Sequence, residues 1–348
     1  MEIAAIDLFC GAGGLTHGLE KAGIPVAAGF DADPECEYPY ESNNRARFIL
    51  SDLEKAGPDV AGKELEKASV KVVTGCAPCQ PFSTYTRDRG CDGRAWALVP
   101  VFGHFVEQIR PDIVVMENVT QLARHEVFRQ LVHLLQSMDY FTLVSEVECA
   151  HFGVPQTRRR LTLLASLLGD MGTLQPSHAA DSPVTVRDAI GGGVVPALAA
   201  GQISEKEALH RACRLCPVNL RRIHESKPGG TWRDWPEELR APCHRKETGT
   251  TYPSVYGRME WDKPAPTITT QCFGYGNGRF GHPDQNRAIT LREAAILQTF
   301  EPDYNFVPAG QPVRFSVVGR LIGNAVPPRL GMAIGRAILR HLAEVDPR

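Results

Sequence analysis

Apolar residues in the first 165 positions fall into short aliphatic runs, separated by stretches that repeat every three to four residues. The runs Ile3–Phe9, Pro25–Phe30, Val70–Thr74, Asp112–Met116, Phe141–Glu146 and Leu161–Ala165 read as strands. Between them, Leu15–Ala22, Pro34–Asn43, Val60–Lys67, Leu98–Ile109 and Val127–Met138 read as helices. Such alternation predicts an α/β fold built on a doubly wound sheet. Ligands of these sheets sit at the carboxyl ends of the strands, so residues just after strands are the first to weigh as functional.

From Leu167 to Asp262 the periodicity lapses into many prolines, the triplet Gly191–Gly193 and no clean pattern, which reads as a smaller irregular domain. Helices return near Leu291–Thr299 and Pro328–Val345. The division this predicts is a first domain over 1–166, with 280–348 packing back on it, and a second over 167–279. There is no internal repeat and no low-complexity tract.

Composition narrows the class. With 348 residues and 43% apolar content, the chain can build a sizeable core. It has no run of about 18 apolar residues, which speaks against a membrane span. It opens on a strand-like run rather than the basic-then-apolar layout of a signal peptide, so a cytoplasmic location is expected. Ten scattered cysteines in such a chain imply reduced thiols rather than a disulfide framework. The net charge of −2 hides a split. Residues 1–150 carry 13 Lys/Arg against 22 Asp/Glu, and residues 151–348 carry 25 against 18. A polyanion would favour the second half.

Candidate chemistry clusters at strand ends. The first strand runs into Phe9-Cys10-Gly11-Ala12-Gly13-Gly14, where glycines permit a tight turn and close approach to a ligand. Its G-x-G-G spacing differs from the G-x-G-x-x-G of dinucleotide enzymes. Asp31, after the second strand, can accept hydrogen bonds from ribose hydroxyls. Asp52, after a third strand, could meet an adenine amino group. Asp31, Asp33 and Asp52 can equally cap the helices that follow them. After the next strand comes Gly75-Cys76-Ala77-Pro78-Cys79-Gln80-Pro81, with two prolines stiffening the backbone around Cys79. Cys79 fits a nucleophile, whose thiol would need local help because a free thiol has a pKa of about 8.5. Cys76 and Cys79 also make a C-x-x-C, open to a redox or zinc reading. Glu117, at another strand end, can act as a general acid. Arg158 and Arg160, at alternating positions, would point the same way and could grip a carbonyl oxygen or a phosphate.

Together these residues resemble the cytosine-C5 DNA methyltransferase family of prokaryotic restriction–modification systems, from Ile3 to about Ala333. Eight blocks stand in the family's order. They are the F-x-G-x-G-G turn (Phe9 to Gly14), the acids Asp31 and Asp52, P-C-Q-x-F-S (Pro78 to Ser83), E-N-V (Glu117 to Val119), Q-x-R-x-R (Gln156 to Arg160), R-E-A-A-x-L-Q-T-F (Arg292 to Phe300) and G-N-A-V-P-P (Gly323 to Pro328). The irregular stretch occupies the place of the family's target recognition domain, closed by Pro264 to Thr269. Ala77 departs from the common pattern, which often has proline before the Pro-Cys pair. The segment Thr84–Ala97, with Arg87, Arg89, Arg94 and Trp96, matches the loop that closes over DNA, with less typical spacing.

The resemblance implies a Rossmann-like S-adenosylmethionine-dependent methyltransferase domain and a smaller recognition domain. It implies methyl transfer to carbon 5 of cytosine in a specific double-stranded DNA sequence, with Cys79 bonded to carbon 6 and the target base flipped out of the helix. Glu117 would serve ring nitrogen 3, Arg158 the ring carbonyl, and Arg160 the active-site loop or DNA backbone. The cofactor S-adenosyl-L-methionine would lie against Phe9, Gly11, Gly13, Gly14 and Leu15 at the first turn. Asp31, Asp52, Leu53, Pro78, Leu98 and Asn324 would complete its site. No metal is required. A restriction endonuclease for the same site is an expected partner, and a monomer the expected state.

Other readings are a tRNA methyltransferase of the same family, a silent DNA-binding module and a nicotinamide oxidoreductase. The tRNA branch carries Cys-Phe-Thr where this chain has Cys272-Phe273-Gly274, which favours DNA. Intact Cys79, Glu117 and Arg158 argue against a silent module, and the turn spacing against the oxidoreductase. Cys213, Cys216 and Cys243 with His210 or His244 are a candidate zinc set.

Overall fold

The computed structural model describes residues 2–78, 98–246, 249 and 252–346. The aliphatic runs become the strands β1 (Ile3–Leu8), β2 (Val26–Asp31), β3 (Arg47–Leu50), β4 (Val70–Gly75), β5 (Ile113–Asn118), β6 (Phe141–Glu148) and β7 (Arg159–Ser166). The described helices are α1 (Gly14–Ala22), α2 (Glu37–Glu41), α3 (Asp59–Gly62), α4 (Leu98–Ile109), α5 (Glu126–Ser137), α6 (Val186–Ile190), α7 (Pro217–Glu225), α8 (Leu291–Leu297), α9 (Phe315–Asn324) and α10 (Pro328–Val345). No helix of the described residues is long and apolar enough to cross a membrane.

Two compact units divide the chain. The first comprises Met1–Phe152, Arg159–Ser177 and Ala325–Arg348, and the second Gly153–Arg158 and His178–Asn324. The stretch from 280 to 324 thus groups with the irregular unit, while the sequence pattern had set it with the first.

The first unit is the expected doubly wound α/β fold. Its seven strands lie in the order β3-β2-β1-β4-β5-β7-β6. β1 pairs in parallel with β2 and β4, and β4 with β5, whereas β7 runs antiparallel to both β5 and β6. Central strands covered on both faces must be apolar throughout. β5 accordingly is buried at all six positions, whereas the edge strand β6 leaves Phe141 and Val144 exposed. A core including Ile6, Leu8, Phe30, Val73, Phe102, Val114 and Leu163 joins sheet to helices. The order of the strands reverses between β1 and β4, and at such a switch point a crevice opens beyond the carboxyl ends. Leu8 pairs with Gly75 at that end, so the turn after β1 and the segment after β4 flank the crevice.

Among the described residues, the second unit holds the four α-helices α6 to α9, joined by loops, short 3-10 turns and isolated bridges. Without a ladder, loop carbonyls need other donors. Arginines supply them. The buried Arg258 donates to the carbonyls of Ile223, Ser226, His282 and Gln285 at 2.7–3.1 Å. Arg287, fully buried, forms a two-pronged pair with Glu293 at 2.7 Å in each contact. Trp232, Trp235, Tyr275 and Ile223 form its apolar centre, with His244 stacked on Trp232 at 4.3 Å.

Candidate active site

In the first unit, four strand ends converge on the switch point. After β1, Phe9, Gly11 and Gly13 have φ of 59°, 54° and 87°, a left-handed conformation that glycine takes without strain and phenylalanine does not. The turn closes through Gly13 N–H to the Cys10 carbonyl at 3.0 Å, and α1 starts at once with glycine rather than a capping side chain at its N-cap. The first amides of α1 and the helix dipole favour a polar or anionic ligand. A Cβ at Gly11 would meet nothing within 4 Å, so the space beside the turn is open.

At the end of β2, Asp31 accepts from Gly11 N–H at 2.9 Å and from Asp33 N–H at 3.0 Å. It therefore braces the turn, and burial raises its pKa. Asp33 behaves as a cap, accepting from Glu35 N–H at 3.1 Å. Asp52 accepts from Glu54 N–H and pairs with Lys55 at 2.6 Å, contacts that hold its carboxyl below the usual range. Gly75 ends β4 without a side chain for a direct reason. A Cβ there would stand 2.6 Å from the Leu8 carbonyl oxygen.

Glu117, near the end of β5, is 2% exposed. Cys76 Sγ donates to its Oε2 at 3.1 Å, and Arg160 Nε lies 3.0 Å from its Oε1. Strand geometry dictates this meeting. Glu117 pairs with Thr162, and Arg160 lies two residues along β7 on the same face. Gly75 pairs with Met116, so Cys76 follows beside Glu117. Next to it, Asn118 Nδ2 donates to the Ala77 carbonyl at 2.9 Å and ties the segment after β4 to β5. Sequence reasoning missed this role for Asn118, which the motif alone names without explaining.

Cys79 lies outside the described residues, and Pro78 and Leu98 flank the gap. Phe9 and Leu98 are half-buried against the core. Gly14 opens α1. The side chains of Leu15 and Leu53 are buried in the first unit, which leaves their backbone groups as the polar part they could offer a ligand.

Arg158 and Arg160 do not share a target as their alternation had suggested. β7 begins at Arg159, so Arg158 precedes the strand and the two-residue period does not reach it. Arg158 belongs to the second unit, where it donates to the carbonyls of Ile268 at 3.1 Å and Gly323 at 3.4 Å. Gln156, beside it, donates to Leu297 O and Gln298 Oε1 and accepts from Ile268 N–H at 2.9 Å. Asn324 ends α9 in the same unit. The zinc set is not assembled: no three metal-ligating side chains cluster among the described residues. Both ring nitrogens of His210 are engaged, by Thr290 and the Pro196 carbonyl.

The chain has relatives among known proteins. The profile of the C-5 cytosine-specific DNA methylases matches residues 3–340. The Type II methylase M.HgiDII of Herpetosiphon aurantiacus is 51% identical over 352 residues, covering 99% of this chain and 97% of that protein. The Type II methyltransferase M1.HphI of Haemophilus parahaemolyticus is 32% identical, covering 98% and 87%. Among solved structures, a candidate DNA modification methyltransferase encoded within an E. coli prophage has a TM-score of 0.74 at 20% identity, covering 98% of this chain and 99% of that one. Dnmt2 methyltransferase of S. pombe has a TM-score of 0.59 at 15% identity, covering 99% of each chain. These two likenesses speak to the fold alone. On the match over nearly its whole length, the chain belongs to the C-5 cytosine-specific DNA methylase family and is a DNA (cytosine-5-)-methyltransferase.

Proposed function

We propose that the protein methylates carbon 5 of cytosine within a specific double-stranded DNA sequence, using S-adenosyl-L-methionine and a transient bond from Cys79 to carbon 6. The observation that carries the reading is the buried Glu117 carboxyl, gripped by Cys76 and Arg160 beside an open glycine turn. The turn suits the cofactor. Left-handed Gly11 and Gly13, the glycine-led start of α1 and the acid Asp31 offer donors and an acceptor to an amino acid and a ribose. Bound there, S-adenosylmethionine would supply an electrophilic methyl group on a sulfonium.

The chain's own residues would make the base reactive. The Cys79 thiolate adds its lone pair to carbon 6, and the double-bond electrons move toward nitrogen 3 as Glu117 delivers a proton to it. Carbon 5 thereby gains the enamine character needed to accept a methyl group. A base then removes the carbon-5 proton, the electrons expel Cys79 as thiolate, and nitrogen 3 returns its proton to Glu117. Arg160 holds Glu117, while Arg158, with its donors on the Ile268 and Gly323 carbonyls, braces the second unit. The base must leave the duplex, at a cost of a few kcal/mol offset by contacts in the pocket. The second unit would read base edges in the major groove, and a restriction endonuclease for the same site would be the partner in the cell.

The decisive test pairs Cys79→Ala with DNA carrying 5-fluorocytosine in the methylated site. The wild-type protein is expected to form a denaturation-resistant adduct, and the variant neither an adduct nor methylated product while still binding DNA. Methylation by Cys79→Ala near the wild-type rate would refute the covalent route. Bisulfite sequencing of DNA from expressing cells identifies the sequence.

A further inference from the structure

We propose that Cys76 is a positioning residue for the reaction, its thiol holding the Oε2 side of Glu117 as the side that carries the transferred proton. This rests on the reading of Glu117 as the acid. Among the described residues, Cys76 makes the one aligned hydrogen bond to that carboxyl, at 3.1 Å. The Arg160 Nε contact at 3.0 Å to Oε1 is an ion pair without an aligned hydrogen bond.

The two partners differ in what they permit. A guanidinium has no acceptor and stays charged, so a proton on Oε1 would face a cation. A thiol donates weakly and accepts weakly. It can donate to the carboxylate before the proton arrives and accept from the acid afterwards. The proton of neutral Glu117 therefore belongs on Oε2. Cys76 is also fixed in place. Its N–H reaches the Leu8 carbonyl at 3.3 Å, and Asn118 holds the next residue at the Ala77 carbonyl. Gly75 and Ala77 are buried whereas Cys76 is half-buried, so its sulfur is not a core-filling group.

The test compares Cys76→Ala, Cys76→Ser and Glu117→Gln in single-turnover methyl transfer over a range of DNA concentrations. For Cys76→Ala we expect a saturating rate lower by about tenfold, the size of a hydrogen bond to a charged group, with half-saturation by DNA unchanged. Cys76→Ser, which keeps a donor and acceptor without emptying the position, should return the rate toward wild type. In the Glu117→Gln background, Cys76→Ala should cost nothing further.

A wild-type rate in Cys76→Ala overturns the proposal. So does an equal loss in Cys76→Ser, or an additive loss in the double variant, since each makes Cys76 a packing residue. If Glu117→Gln alone keeps the wild-type rate, the reading of Glu117 falls first. If it is crippled while Cys76→Ala is normal, only the role of Cys76 falls. Should Cys76→Ala melt far below wild type, the rate of Cys76→Ser decides, with a loss of about tenfold in that variant counting against.

Discussion

Two buried carboxyls one strand apart meet opposite circumstances. Glu117 has a cation and a thiol. Asp7, on β1, has no cation beside it among the described residues: it accepts from the hydroxyls of Thr16 at 2.8 Å and Thr74 at 3.4 Å and from the Thr16 backbone N–H, with Tyr40 behind Thr16 at 2.9 Å. Burial without a cation pushes the Asp7 pKa up to about 7. The folded value lies above the unfolded one, so its contribution to stability is complete below about 4 and is lost as pH rises through about 7. Asp7→Asn should therefore flatten the fall in melting temperature between pH 5 and 8, and equal slopes in the two proteins would contradict this assignment. For Glu117, replacement by Gln keeps the shape and removes the proton. We expect methyl transfer to drop by about a hundredfold or more, the range of general acid catalysis, with DNA affinity within a few-fold. A mere twofold drop would remove Glu117 from the mechanism.

At the scale of elements, α1 and α10 meet through glycines. A Cβ at Gly18 would lie 2.3 Å from the Pro328 carbonyl and 2.6 Å from Met332 N, and one at Gly335 would lie 2.6 Å from the Ala22 Cβ. Backbone cannot yield as a side-chain tip can, so Gly18→Ala should force the helices apart and cost about 1–3 kcal/mol, read in denaturant unfolding. Because α1 carries the glycine turn, cofactor affinity should fall with it; a variant of native stability would show that the helices are free to separate. Much of the first unit was legible from periodicity. β1, β2, β4 to β7 and α4 lie within about two residues of their predicted limits, because apolar runs bounded by turn residues report burial directly. The short β3 and α9 were not delimited; Gly319 and Gly323 weaken the helical pattern of α9. Their lack of side chains serves packing instead, with a Cβ at Gly323 only 2.3 Å from Thr269 and Thr270 backbone. At the site, motifs revealed the acid, the turn and the arginines. They could not reveal that Arg158 and Arg160 part company, nor that Cys76 touches Glu117, because both depend on strand register.

For the whole molecule, the basic second half of the sequence overstates the charge on offer to DNA. Arg158, Arg222, Arg258, Arg287 and Arg292 are each at most 9% exposed. They spend their donors on carbonyls and on Glu293 or Glu207, as Arg258, Arg287 and Arg292 do. A guanidinium enclosed in this way holds an irregular chain together, the work a hydrogen-bonded ladder does in the sheet, and it neutralises no phosphate. The surplus of 25 Lys/Arg over 18 Asp/Glu beyond residue 150 therefore shrinks at the surface. If about four phosphates are neutralised, affinity for the duplex should weaken by about a hundredfold between 50 and 200 mM salt, since each contact releases close to one counterion. The slope of log Kd against log salt measures that number. A slope near zero would mean that the second half does not face the phosphate backbone. A slope near ten would mean that the buried arginines are exposed in the complex, and so that the second unit opens to bind. The intermediate slope is the one consistent with arginines that stay at their structural posts while a few surface cations hold the DNA.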